Sequence, residues 1–548
     1  MKAGVIVIVI LAFLSGCSEQ GTYDLILRNG TIYDGSGSAP YIGDIAIDAD
    51  TIAAIGDLTG MKGHEEMDLH QMAVAPGFIN MLSWATESLI VDGRSQSDIR
   101  QGVTLEVMGE GNSMGPLTDE MKRDMLEEQG DIQFDIEWNT LGEYLEYLVE
   151  KGVSTNVASF IGNATVRKNV LGYDSRHPTD EELEQMRQIV RQAMEEGAVG
   201  LSSALIYVPS MHSNTSELIE LAKIVSEYDG MYISHLRSEG QTLLEALDEL
   251  LTIAREANIR SEVYHLKASE KSNWYKLDSA FRMIEAARNE GLKITADMYM
   301  YPASSTGLTQ VLPEWVLEGG IDSTIERFKR PELHEKIIED MFWPCDAEDI
   351  LMVGFRNDEL KKHTGKSLAQ LASERNQSPE KTVIDIIVED DSRISCVFFS
   401  MSEENVKKKI AQPWMSFCSD AGSLAPEGVF LKSNPHPRAY GSFARLLAKY
   451  VRDEKIIPLE EAVRRLTSFP AENLKIERRG RLKEGYFADI VVFDPNTIQD
   501  HASFEKPHQY ATGVQHVWVN GMHVLKDGEH TGAHAGRVVR GPGWKPSN

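Results

Sequence analysis

The chain has 548 residues, and Lys+Arg 55 against Asp+Glu 84 leaves a formal net charge of −29. So acidic a surface repels phosphate backbones and argues against nucleic-acid partners. Hydrophobic residues at 42% and charged residues at 25% are globular composition, which sets aside disordered, fibrous and polytopic membrane classes.

The first segment reads as an export signal. Met1-Lys2 is followed by an apolar run over 5–14 and then by Leu14-Ser15-Gly16-Cys17. That run is too short to span a bilayer stably. The Leu-Ser-Gly-Cys ending resembles a bacterial lipobox, which implies a signal peptide over 1–16, cleavage before Cys17 and diacylation of that cysteine. Ser18 after the cysteine implies, in a Gram-negative cell, the outer membrane facing the periplasm. A plain signal peptide with an incidental cysteine is the blander alternative. The other cysteines, Cys345, Cys396 and Cys418, are odd in number and widely spaced, so they form neither a disulfide framework nor a CxxC metal motif.

Next come alternating apolar and polar residues at 25–30 and 44–48, which read as short strands; 488–493 and 517–520 near the other end read the same way. Together they predict one β-sandwich built by both chain ends, over 17–72 and 476–548. The centre, 73–475, alternates β-rich runs with helical periods, the pattern of a parallel sheet in βα units. Strands are expected at 73–82, 104–108, 156–162, 198–205, 231–236, 261–266, 293–299 and 414–420, with amphipathic helices at 180–196, 216–228 and 241–256. Eight such strands close a (β/α)8 TIM-like barrel. The gap of about 300–413, between strands 7 and 8, predicts a helical insertion with helices at 328–342, 366–374 and 379–388.

Catalytic groups of such barrels sit at the C-terminal ends of the strands. Those ends carry Glu110 after the second, His235 on the fifth, His265 on the sixth and Asp420 on the eighth. Two imidazoles and a carboxylate arriving from separate strands can hold a divalent metal with one position open for water, and a further carboxylate can serve as the base. Taken singly, each has an ordinary reading: a solvated turn for Glu110, satisfied core histidines, an Asx cap for Asp420.

Several runs resemble the amidohydrolase superfamily: Val74-Ala-Pro-Gly-Phe-Ile-Asn80, Ser234-His235-Leu-Arg237, Tyr264-His265-Leu-Lys267, Ser419-Asp420, and the C-terminal Arg481-Leu-Lys-Glu-Gly485 with Ala488-Asp489-Ile-Val-Val-Phe493. Gly200-Leu-Ser-Ser-Ala-Leu-Ile-Tyr207, Thr295-Ala-Asp-Met-Tyr299 to Ser304-Ser305-Thr306 and Pro435-His-Pro-Arg-Ala-Tyr-Gly441 narrow the resemblance to the N-acyl-D-amino-acid deacylase (D-aminoacylase) family, over nearly all of the mature chain. The resemblance implies one divalent metal, zinc by family habit, on His235 and His265. It also implies Asp420 as base, and a grip on the carboxylate of a small N-acyl amino acid by Lys267, Tyr299 and Ser305. Tyr207 is placed to orient the amide oxygen, with an ordinary core tyrosine as the equal alternative. One ammonium and two hydroxyls suit an anion, since each can donate.

Two positions depart from the family pattern. Its first strand normally ends in Asp-x-His-x-His, where this chain has Asn80-Met81-Leu82-Ser83-Trp84, and neither Leu82 nor Trp84 can bind a metal. Its cysteine ligand normally lies in Gly-Asn-Cys-Gly; here Gly109-Glu110-Gly111-Asn112 stands there, with Glu110 one residue short. Glu110 in place of the thiolate predicts a mononuclear site, and the resemblance implies a metal-dependent hydrolase of linear amides that deacylates N-acyl-D-amino acids. The alternatives are a D-dipeptidase or cyclic amidase of the same superfamily, or a catalytically decayed ligand-binding lipoprotein. Side-chain preference, acyl group, metal identity and oligomeric state have no signature in the sequence.

Overall fold

The computed structural model describes residues 22–546, so the export signal and Cys17 lie outside the described residues. The chain opens with β1 (Thr22–Ile32), β2 (Tyr41–Asp48), β3 (Thr51–Gly56), β4 (Lys62–Asp68) and β5 (Ala73–Pro76). It then enters a parallel barrel of seven strands before the closing segment: β6 (Phe78–Asn80), β7 (Val103–Met108), β8 (Asn156–Ser159) continued after Phe160 by β9 (Ile161–Gly162) as one strand, β10 (Gly200–Ala204), β11 (Met231–His235), β12 (Arg260–Val263) and β13 (Ile294–Ala296).

The expected strand 73–82 is divided at Gly77. A Cβ there would overlap the Thr104 side chain, and the Gly77 N–H donates to Asp489 O across to the C-terminal strands. Residues 73–76 therefore pair into the sandwich, and the barrel begins at Phe78.

The eighth barrel segment, expected at 414–420, closes the ring without regular strand geometry. Parallel bridges join Met415 to Ala296 and Ala421 to Ser83, and the Asp420 N–H donates to Leu82 O at 2.9 Å. Side chains interrupt the ladder: the Ser419 N–H donates to Asn80 Oδ1 at 2.9 Å, and Asn80 Nδ2 returns a bond to Ser419 Oγ at 2.8 Å. Short polar side chains compete with backbone pairing in this way.

Outer helices form where periodicity and caps agree. Asp180–Glu196 starts at a capping box between Thr179 and Glu182 and ends at Gly197, burying Met186, Val190, Ala193 and Met194 on one face. The helices expected at 216–228 and 241–256 are Thr215–Ser226 and Leu243–Glu256.

The insertion between strands 7 and 8 holds more than helices. A three-stranded antiparallel sheet, β14 (Ser304–Gly307), β15 (Ile350–Gly354) and β16 (Ser395–Phe398), packs with helices Leu368–Glu374 and Pro379–Asp390 around a core of its own. The helix expected over 328–342 is two, Gly320–Phe328 and His334–Asp340, because Pro331 cannot continue a helical hydrogen-bond ladder.

The C-terminal strands β17 (Ile490–Phe493), β18 (Val514–Val519), β19 (Met522–Lys526) and β20 (Glu529–His530) rejoin β1 to β5 in one nine-stranded sheet, with β17 against β5. β17 serves two cores: Val491 and Phe493 face the barrel, Ile490 and Val492 the sandwich, following the two-residue alternation of a strand. No helix among the described residues is long and apolar enough to cross a membrane.

Candidate active site

Glu110 follows β7 between two glycines that nothing else could replace. Gly109 (φ 100) and Gly111 (φ 64) are left-handed, and a Cβ on either would come within 2.5 Å of Phe160 O or Ala204 Cβ. The tight turn sends the Glu110 side chain inward, where Oε1 lies 3.0 Å from His235 Nδ1 and 2.9 Å from His265 Nε2. His235 is the last residue of β11. His265 lies just past β12 at φ 33, its backbone N–H donating to Asp297 Oδ1 at 2.7 Å. Asp420 is left-handed too, at φ 50. Non-glycine residues in this region are uncommon, and the cost is held here by surrounding hydrogen bonds.

The electrostatics follow from burial among opposite charges. Burial by itself would raise Glu110, but the His265 and His235 rings outweigh it and hold the carboxyl well below the usual range. Asp420 is lifted above its ordinary value by burial, against the pull of Arg438 and His265; Arg438 Nη1 is 2.7 Å from Asp420 Oδ2. The Arg438 guanidinium also stacks 4.5 Å over the Tyr299 ring.

Lys267 Nζ sits 2.5 Å from Glu239 Oε1 and 2.7 Å from His265 Nδ1. Glu239 Oε1 also lies 3.2 Å from His265 Nδ1 and 3.5 Å from His235 Nε2, so the two rings stand between two carboxylates. Lys409, buried beneath, donates to Leu266 O at 2.8 Å and braces the segment between His265 and Lys267. Tyr299 is fully buried with the Lys267 ammonium 5.9 Å from its ring. The Tyr207 ring meets His235 edge-on at 5.5 Å, and its hydroxyl pairs with Thr306 Oγ1 at 2.7 Å. Ser305 gives its hydroxyl to Cys396 O at 3.0 Å, so on β14 it is Thr306 that meets Tyr207.

The structure thus gathers Glu110, His235, His265, Asp420, Lys267, Tyr299 and Tyr207, with Ser305 beside them on the insertion sheet. Three residues of the site are not singled out by the sequence. Glu239 sits two residues beyond the Ser234 to Arg237 run, Asp297 within Thr295 to Tyr299, and Arg438 within Pro435 to Gly441. The runs are visible in one dimension, but not the roles.

Among the described residues, one set of three ligand-type side chains converges: the Glu110, His235 and His265 donor atoms lie within 4.8 Å of one another. One carboxylate oxygen and two imidazole nitrogens over that span suit a divalent ion bound at about 2.0–2.2 Å. The outer nitrogens face the Glu239 carboxylate, the kind of acceptor that backs metal-binding histidines.

A (β/α)8 barrel with such a cluster at its strand ends, joined to a sandwich made by both termini, defines a metal-dependent amidohydrolase. The sequence signature described as "Amidohydrolase family" matches residues 432–525. The chain is 32% identical over 527 residues to the D-aminoacylase of Alcaligenes xylosoxydans xylosoxydans, covering 95% of this chain and 98% of that protein. It belongs to the D-aminoacylase family. Its fold superimposes at a TM-score of 0.80 on the N-acyl-D-glutamate deacylase of Bordetella bronchiseptica in complex with zinc and a phosphonate mimic of the tetrahedral intermediate, with 27% identity over 95% of this chain and all of that one. It matches equally well, at 0.80 with 30% identity over 94% of this chain and all of that one, a D-aminoacylase whose binuclear centre is described by one-metal activation and second-metal attenuation.

Proposed function

We propose that this protein hydrolyses linear amides, removing the acyl group from N-acyl-D-amino acids, with one zinc ion on Glu110, His235 and His265. The observation that carries this reading is the convergence of those three donors at the strand ends, with a buried Asp420 on the closing segment. A zinc-bound relative of the same fold, and the deacylase activities named for these relatives, support it. The chemistry supplied at that site by a divalent ion is Lewis acidity, polarising the amide carbonyl and making hydroxide available near neutral pH.

The chain's own residues do the rest. Asp420 accepts the proton of the attacking water and delivers it to the departing amine, and its raised pKa brings it closer to the value such a shuttle needs. Arg438 holds that carboxylate in place. Lys267, together with Tyr299, receives the substrate carboxylate, which competes with Glu239 for the ammonium. Tyr207 closes the wall beside His235.

A panel of N-acetyl-D-amino acids, their L forms, D-dipeptides and hydantoins tests the assignment. Turnover should concentrate on the N-acetyl-D series, and Lys267→Ala should raise KM for them about 10-fold or more, as loss of a charged hydrogen bond does. Preferred hydantoin or D-dipeptide hydrolysis would replace the reading with the corresponding activity. Thermal stabilisation by ligands without turnover would make the protein a binder.

For location, the lipobox-like Leu14 to Cys17 run supports an enzyme anchored by lipid at Cys17, on the outer membrane facing the periplasm. Cys17→Ser should move the protein from the membrane pellet to the soluble periplasmic fraction, since loss of the acyl chains removes the anchor. A wild-type protein found wholly in the soluble fraction would overturn the anchor.

A further inference from the structure

The two oxygens of Glu110 have different partners. Oε1 faces both histidines, whereas Oε2 accepts a 2.9 Å hydrogen bond from the Trp84 indole N–H. Trp84 is pinned by its backbone, whose N–H donates to Ala421 O at 3.0 Å, while Ser83 before it donates to Val107 O at 2.8 Å. Its side chain is therefore tied to the closing segment and to the strand that carries Glu110. The residue is 40% exposed, so its position is not explained by core filling. Two residues earlier, Leu82 is fully buried and offers no lone pair.

We propose that Trp84 is a positioning residue that presents Glu110 through one oxygen and makes this centre a single-metal site. The proposal rests on the assignment of the ion to Glu110, His235 and His265. A carboxylate free at both oxygens can clasp one cation with both or share itself between two. An indole N–H only donates, so it takes up one lone pair of Oε2 and sets the positive end of its dipole where a second cation would approach. With that oxygen held, the carboxylate cannot rotate, and Oε1 stays aimed between the two histidines before any metal arrives. The consequence is a centre exempt from the second-metal attenuation described for the relative with a binuclear site.

Titration of the metal-stripped protein with zinc tests this, reading bound zinc per chain by elemental analysis. The wild type should hold one zinc even in excess metal, a result that needs no variant. Trp84→Phe, which keeps an aromatic ring at a half-open position, should bind zinc about 10–100-fold more weakly, as loss of an outer partner of a ligand does. Trp84→Gln, which keeps a side-chain N–H donor but loses the ring, should bind zinc more tightly than Trp84→Phe, an order that a merely structural role of the ring would reverse. A Trp84→Phe variant that binds one zinc as tightly as wild type would overturn the proposal while leaving the active-site reading intact, whereas two tightly held zinc ions in the wild type would overturn the proposal and the one-metal part of that reading. No zinc bound by the wild type would overturn both.

Discussion

Asp420→Asn is expected to lower kcat by about 10²–10⁴-fold, the range that a positioned general acid–base supplies. Asparagine keeps the size and one oxygen but can neither take the water's proton nor return it to the amine. The zinc content should stay at that of the wild type, because Asp420 is not among the converging donors. The substitution also leaves the buried Arg438 without its counter-charge, so a lower Tm accompanies the loss. The assay is therefore run well below the variant's Tm, with zinc per chain measured on the same sample. Near-normal hydrolysis by Asp420→Asn would remove the proposed mechanism.

Glu110→Ala should have the larger effect on metal binding, taking zinc from one per chain to none and turnover with it. His235 Nδ1 and His265 Nε2 now share a single oxygen at 3.0 and 2.9 Å; without it two imidazoles remain, too few for a tight zinc site. The weakening should exceed the about 10–100-fold that loss of an outer-shell partner costs. Restored turnover at millimolar zinc would show that the histidines alone suffice, and full zinc occupancy in the variant would remove Glu110 from the ligand set.

Much of this molecule is legible in the amino-acid order alone. Helix Asp180–Glu196 announces itself by Thr179, Glu182, Gly197 and one apolar face, all local signals within a single element. His235 and Glu110 stand out because a parallel barrel sets its chemistry at strand ends, so counting strands places side chains. The apolar runs at 73–76 and 490–493 are visible as strands for the same local reason.

What tertiary structure decides is where runs turn and whom side chains meet. Gly77 divides an apparently continuous strand only because Thr104 passes so close, a contact between segments 27 residues apart. The insertion sheet has no clear sequence signal because β14, β15 and β16 are each four or five residues long and pair across about ninety residues of chain. Glu239 and Arg438 look like ordinary residues in one dimension, and Trp84 shows there only as a missing metal ligand. Their roles come from meeting Lys267, Asp420 and Glu110 across separate strand ends. Local periodicity and caps act over a few residues and are written in the amino-acid order. Ring closure brings residue 110 to residue 265, and such a meeting depends on every packed strand between them.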